Sequence, residues 1–121
     1  MSKNYFPEKS IPKVYAYTDT RYPKCIKVGY TTKTAEERVK QLYLEQHPNV
    51  SYEILLEELA VRHNGTFFTD KEVHKLLNSK KVKHINAEWY ECSINEIKAC
   101  ILEIKTEVDN EDNIESIIST K

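Results

Sequence analysis

Glycine is scarce in this chain: Gly29 and Gly65 are the only two in 121 residues, beside four prolines. That scarcity excludes the phosphate-cradling loops. These need several glycines, so that successive backbone N–H groups can approach phosphate, and then Lys-Ser/Thr opening a helix. "GYTTKTAEER" (29–38) holds one glycine and lacks the GxxxxGK pattern. Cysteine is sparse too. Cys25, Cys92 and Cys100 form no CxxC pair and leave one thiol over in any pairing. With no apolar N-terminal segment, a reducing cytoplasm is expected rather than secretion. His47, His63, His74 and His84 are not at ligand spacings with the cysteines, so zinc is not expected. No apolar run approaches the roughly 18 residues that a membrane helix needs, so no membrane partner is expected.

Net charge is also low, at -1, but it is unevenly spread. Residues 1–47 carry nine Lys and Arg against five Asp and Glu, whereas residues 48–121 carry nine against fourteen. Much of the acid lies in Glu107, Asp109, Glu111, Asp112 and Glu115, a run that reads as a solvated tail or linker. What remains is mildly basic. Nucleic-acid contact is thus permitted, and unaided binding is expected to be weak, because affinity scales with the phosphates neutralised. One domain, residues 13–107, is expected between a loosely held arm (1–12) and the acidic tail or linker (108–121).

Three segments announce helices by one device. Thr34-Ala-Glu-Glu37, Thr69-Asp-Lys-Glu72 and Ser93-Ile-Asn-Glu96 each read as a capping box. They predict helices over 35–46, 70–78 and 94–107, with apolar stripes through Val39 and Tyr43, Val73 and Leu77, and Ile97, Ile101 and Ile104. "KVYAYTD" (13–19) alternates with period two, so Val14 and Ala16 face one way and Tyr15 and Tyr17 the other. "CIKVGY" (25–30) is its expected hairpin partner. "SYEILLEELAV" (51–61) is read as a strand, with a helix as the alternative, and "EWYEC" (88–92) as a short strand. The fold class is α/β, more narrowly α+β: a small, mainly antiparallel three-stranded sheet flanked by helices.

On this frame Tyr15 and Lys27-Val28-Gly29 lie on neighbouring strands, and Arg38 sits one turn into the first helix. Five stretches in order, "KVYAY", "KVGYTT", "EERVKQL", "FFTDKEVHKLL" and "AEWYECSINEI", resemble the GIY-YIG nuclease superfamily over residues 12–102. The similarity is to its phage-type branch, which reads KIG in place of YIG. The resemblance implies metal-assisted hydrolysis of a nucleic-acid phosphodiester. Tyr15 would sit beside the attacking water as base or positioner, and Arg38 would stabilise charge on the phosphate oxygens. A helical carboxylate would hold one Mg²⁺ or Mn²⁺ ion. That position falls on Asp70, where the family usually has glutamate, with Glu72 and Glu88 as nearest substitutes and His74 four residues on.

Lys27 replaces the tyrosine of the name-giving motif and is expected to depress the Tyr15 pKa or to touch phosphate. Gly29, Lys33 and Lys81 are candidate nucleic-acid contacts. Gly29 has two readings: room for a nucleic-acid backbone, or relief of a bulge or turn. Blander roles stand beside the chemical ones: sheet packing for Tyr15, an exposed pair with the neighbours of Glu37 or with Asp19 for Arg38, helix capping for Asp70 and Glu72, and a lysine partner for Glu88.

The function expected is a DNA-cleaving module of a longer restriction or helicase-type protein, with helicase, methylase or DNA-binding domains attached. The rival is a catalytically degenerate module that binds nucleic acid or protein. A third reading, an interaction domain without nucleic acid, requires that Tyr15, Lys27 and Arg38 do not converge.

Overall fold

The computed structural model describes residues 11–119, with side chains up to residue 106. Its elements run β1 (Lys13–Asp19), β2 (Cys25–Thr31), α1 (Ala35–Gln46), β3 (Tyr52–Leu59), α2 (Asp70–Ser79), β4 (Lys83–Asn86), β5 (Trp89–Glu91) and α3 (Ile94–Ser119). All three capping boxes form. At α1 the Thr34 hydroxyl accepts the Glu37 N–H (3.1 Å), and the Glu37 carboxylate accepts the Thr34 N–H (3.1 Å). Thr69 with Glu72, and Ser93 with Glu96, repeat the exchange at α2 and α3. Each box satisfies two otherwise orphaned donors, and an N-cap residue is worth about 1 kcal/mol.

The sheet is antiparallel throughout, in the order β3-β1-β2-β5-β4. Five strands replace the three expected. The strand missed outright is β4, "KHIN", whose residues are all exposed. It lies on the sheet edge and buries nothing, so no apolar alternation marks it. The segment 51–61 is a strand, as read, although its burial pattern is irregular. One extra β3 residue falls opposite the Ala16–Tyr17 step, a bulge that breaks the period-two pattern.

Alternation along β1 divides the molecule into layers. Val14 and Ala16, with Ile26 and Val28 of β2, pack under Val73 and Leu77 of α2 and Ile97, Ile101 and Ile104 of α3. Tyr15, Tyr17, Cys25 and Trp89 face the other way and are covered by Ala35, Val39 and Tyr43 of α1. None of the three cysteines is disulfide-bonded. Helix α3 continues to Ser119 instead of ending near 107. The arm's residues 1–10 and the acidic side chains of the tail lie outside the described residues. Among the described residues, no helix is long and apolar enough to cross a membrane.

Asp19 closes β1 with a fully buried side chain (0% exposed). Its carboxylate accepts the Arg21 backbone N–H (2.8 Å), the Arg21 guanidinium (2.7 Å) and the Tyr43 hydroxyl. Burial pushes its pKa up, but the bonds from Arg21 and Tyr43 outweigh burial and hold it below the ordinary value of 3.8. The stabilisation is therefore full above that value and is lost as pH falls through the depressed folded-state pKa. We expect Asp19→Asn to lower the urea midpoint most near neutrality, with the gap to wild type closing in acid below pH about 4. A gap that stays constant from pH 7 to pH 3 would refute the assignment.

Candidate active site

Strand β2 is longer than its neighbour β5. The pairing ends at Lys27 opposite Trp89, so from Val28 onward this edge of β2 has no strand beside it. Two groups fill the opening. The Val28 N–H donates to the Glu88 carbonyl (3.4 Å), and the Val28 carbonyl bonds His74 Nε2 (3.0 Å). A carbonyl only accepts, so Nε2 carries the hydrogen in this arrangement and Nδ1 is left as the acceptor. The His74 ring also stacks on Tyr90, with centroids 5.7 Å apart. One turn earlier on α2, Asp70 Oδ2 lies 3.9 Å from His74 Nε2. Unequal strand lengths thus make a notch, and the start of α2 reaches into it.

Tyr15 lies directly opposite Gly29 across the β1–β2 ladder. A Cβ on Gly29 would come within 2.5 Å of both Cζ and the hydroxyl oxygen of Tyr15. The expected relief of a bulge or turn does not account for this glycine. The β1–β2 register is regular here, and Gly29 is not among the positive-φ residues. The space its side chain would fill is taken by the hydroxyl end of the Tyr15 ring.

Tyr15 is 3% exposed, and its pKa is pushed up to about 12. Burial is the main cause and nearby Tyr17 the next, while the positive charge of Arg38 opposes them and Glu88 adds a smaller upward push. Lys27, expected to lower this pKa, is not among the main groups that act on it; Arg38 takes that part. The Lys27 ammonium lies 5.8 Å from the centroid of the Tyr17 ring and pairs with Glu88 Oε1 at 3.7 Å.

Asp70 keeps only 15% of its side chain exposed. Its pKa is raised, chiefly by burial; His74 pulls it down and Glu88 pushes it up. Asp70 and Glu88 are therefore close enough to repel, which is the environment that a cation would relieve. The donor set suits a hard, oxygen-preferring divalent ion that keeps several waters. Among the described residues, no group of three or more His, Cys, Asp and Glu side chains forms a ready-made cage.

Tyr15, Arg38, Lys27, Glu88, Asp70 and His74 are thus linked pair by pair: Glu88 acts on Tyr15, Lys27 and Asp70, Arg38 on Tyr15, and His74 on Asp70. Glu72 is committed elsewhere: its carboxylate caps Thr69 (3.0 Å) and pairs with Arg62 (3.2 Å). Burial acts to raise the Glu72 pKa, and the Thr69 and Arg62 bonds hold it low. Lys33 is exposed in the turn before α1, its N–H bonded to the Thr31 hydroxyl (3.0 Å). Lys81, also exposed, sits at φ 62° in the turn after α2. Its neighbours in the basic stretch are paired, Lys80 with Glu103 and Lys83 with Glu91. Asp19, proposed as a plain partner for Arg38, belongs to Arg21 and Tyr43.

Sequence reasoning put Tyr43 on an apolar stripe and gave no polar task to Tyr43, Tyr52 or Glu57. Glu57 stands opposite Tyr15 on β3 and accepts the Ala35 N–H at the start of α1 (3.3 Å). Tyr52 donates to Glu36 of the same helix (3.1 Å). The available signal was the odd-numbered row of β1, Tyr15, Tyr17 and Asp19, which needs polar partners on whatever covers it.

This geometry defines a small antiparallel α+β domain with a polar notch beside its central strands. The chain belongs to the T5orf172 domain family, whose model matches residues 13–105. That family is phage-associated and lies in nuclease-related space. Comparison with curated proteins and with solved structures gives no match.

The overlap at Gly29 makes a sharp test. Gly29→Ala should destabilise by about 1–3 kcal/mol in urea titration, the usual range for overpacking. In a Tyr15→Ala background the added methyl group should be nearly neutral, because the atoms that it meets are gone. Additive penalties would mean that the glycine serves something other than Tyr15.

Proposed function

We infer that this domain is a GIY-YIG-type endonuclease of the phage-type branch with KIG in place of YIG, which hydrolyses phosphodiesters in nucleic acid, foremost DNA, with Mg²⁺ or Mn²⁺. The observation that carries this reading is the gathering of Tyr15, Arg38, Glu88 and Asp70 from β1, α1, the turn before β5 and the start of α2. Four separate elements delivering a hydroxyl, a guanidinium and two repelling carboxylates is costly for stability and suited to phosphoryl chemistry.

Each residue then has a task. Arg38 grips the phosphate with a planar fork that stays charged. Tyr15, protonated at neutral pH, donates a hydrogen bond and orients the attacking water instead of acting as the base. Asp70 and Glu88 would hold the metal ion. Bound there, the ion would supply an acidified water and charge relief at the leaving oxygen. His74 offers Nδ1 as a proton acceptor, its Nε2–H being held by Val28. Lys27 balances Glu88, and Lys33 and Lys81 add exposed positive charge for the nucleic-acid backbone. In the cell the domain acts as the cutting module of a larger cytoplasmic DNA-processing protein, whose attached helicase, methylase or DNA-binding domains deliver it to DNA.

A second reading, a binding module that has lost catalysis, is favoured by two features. Lys27 already pairs with Glu88, a carboxylate that the ion would need, and Tyr15 is almost wholly covered. Plasmid nicking in Mg²⁺ or Mn²⁺ separates the two. Wild type should nick, chelation should abolish it, and Tyr15→Phe and Arg38→Ala should each lose about 10²-fold or more while remaining folded by circular dichroism. With Tyr15 titrating at about 12, no limb of the rate profile between pH 6 and pH 10 should disappear in Tyr15→Phe. Equal nicking by all three proteins would sink the site assignment. DNA retained without nicking would favour the second reading.

A further inference from the structure

We propose that Asp19, acting through Tyr43, is a positioning residue that fixes α1 along β1 and so brings Arg38 to Tyr15. The proposal rests on the reading above of Arg38 and Tyr15 as the central pair of the site.

Tyr15, Tyr17 and Asp19 alternate along β1 and so stand on one face of it, the face that α1 covers. Helix α1 starts at the Tyr15 end, where the Ala35 N–H bonds Glu57 opposite Tyr15, with Arg38 three residues on, and Tyr43 lies at the Asp19 end. The row from Tyr15 to Asp19 is about 13 Å long at 3.3 Å per residue. Two attachments that far apart define an orientation, whereas one would leave a pivot. Glu57 and Tyr52 hold the first turn of α1, through Ala35 and Glu36, and Tyr43 on Asp19 holds the last.

The Asp19 end is built for aim. The carboxylate is gripped by its own turn, through the Arg21 N–H (2.8 Å), Nε (3.2 Å) and Nη2 (2.7 Å). These bonds are local, two residues apart, and set the carboxylate within its own turn. The bond from Tyr43 crosses 24 residues of sequence and converts that local rigidity into a helix position. Arg21 Nη2 also reaches the Tyr43 hydroxyl (3.4 Å). Between the two ends, the Tyr17 ring meets Tyr43 edge-on (5.8 Å, 77°) and stacks with Tyr15 (6.0 Å, 23°), so a shift at one end is passed along the row.

The test places 3-fluorotyrosine at position 15 and follows its ¹⁹F resonance in the 121-residue chain. Arg38→Ala marks where the resonance falls when the guanidinium is gone. Tyr43→Phe removes one hydroxyl and keeps the ring packing. It should move the resonance most of the way to the Arg38→Ala position and slow nicking about tenfold to a hundredfold with KM unchanged, as small misplacements do. Should Tyr43→Phe fail to fold, Asp19→Asn, which keeps the shape and removes the charge, takes its place. A lower thermal midpoint with the wild-type resonance would show a merely structural bond and overturn the proposal. So would an Arg38→Ala resonance identical to wild type. If no protein nicks DNA while the resonance moves as stated, the nuclease reading fails and the positioning role stands.

Discussion

Tyr15 can lie across its partner strand because the residue opposite has no side chain. The would-be Cβ of Gly29 and the ring's hydroxyl end compete for the same space, and a 2.5 Å overlap leaves no compromise. Everything at the notch follows from that packing. The ring is held over β2, its hydroxyl comes to the point where β2 outruns β5, and the guanidinium of Arg38 meets it there. A glycine usually marks a turn or a ligand approaching the backbone; here it makes room for a neighbouring side chain.

Burial pushes the pKa of both acids that matter most upward, yet their net shifts are opposite. Asp19 lies deeper than Asp70, yet its pKa is depressed, because Arg21 and Tyr43 aim donors at it. Asp70 is half-buried beside another carboxylate, with His74 as its nearest partner, and its pKa is raised. One arrangement is complete and serves structure, whereas the other has a charge demand left to be met, as sites built for ligands do. The two stand in different layers of one sheet. Glu88, which acts on both Tyr15 of the Asp19 row and Asp70, links them.

The helices and the first hairpin were legible in the sequence, because caps and period-two alternation are local. Thr34 with Glu37 specifies where α1 starts whatever α1 packs against, and Val14 and Ala16 part from Tyr15 and Tyr17 by the geometry of any strand. Edge strand β4 was not legible, since all four of its residues are exposed and its one apolar residue, Ile85, makes no alternation. Chain order and residue type likewise determined the candidates: a tyrosine on one strand, a lysine and glycine on the next, an arginine one turn into a helix, and a carboxylate four before a histidine.

Only tertiary structure decided among them. Asp70 and Glu72 are two residues apart on one helix turn, and sequence offers both as ligands; Arg62, ten residues away, takes Glu72 while Asp70 turns to the notch. Lys27 and Arg38 both bring positive charge, and the sheet gives Lys27 to Glu88 and Arg38 to Tyr15. Local rules set which side chains are available and which face of an element each one takes. Which groups then meet depends on strand lengths, on the order β3-β1-β2-β5-β4, and on where α1 comes to rest, and these follow from packing across the whole domain.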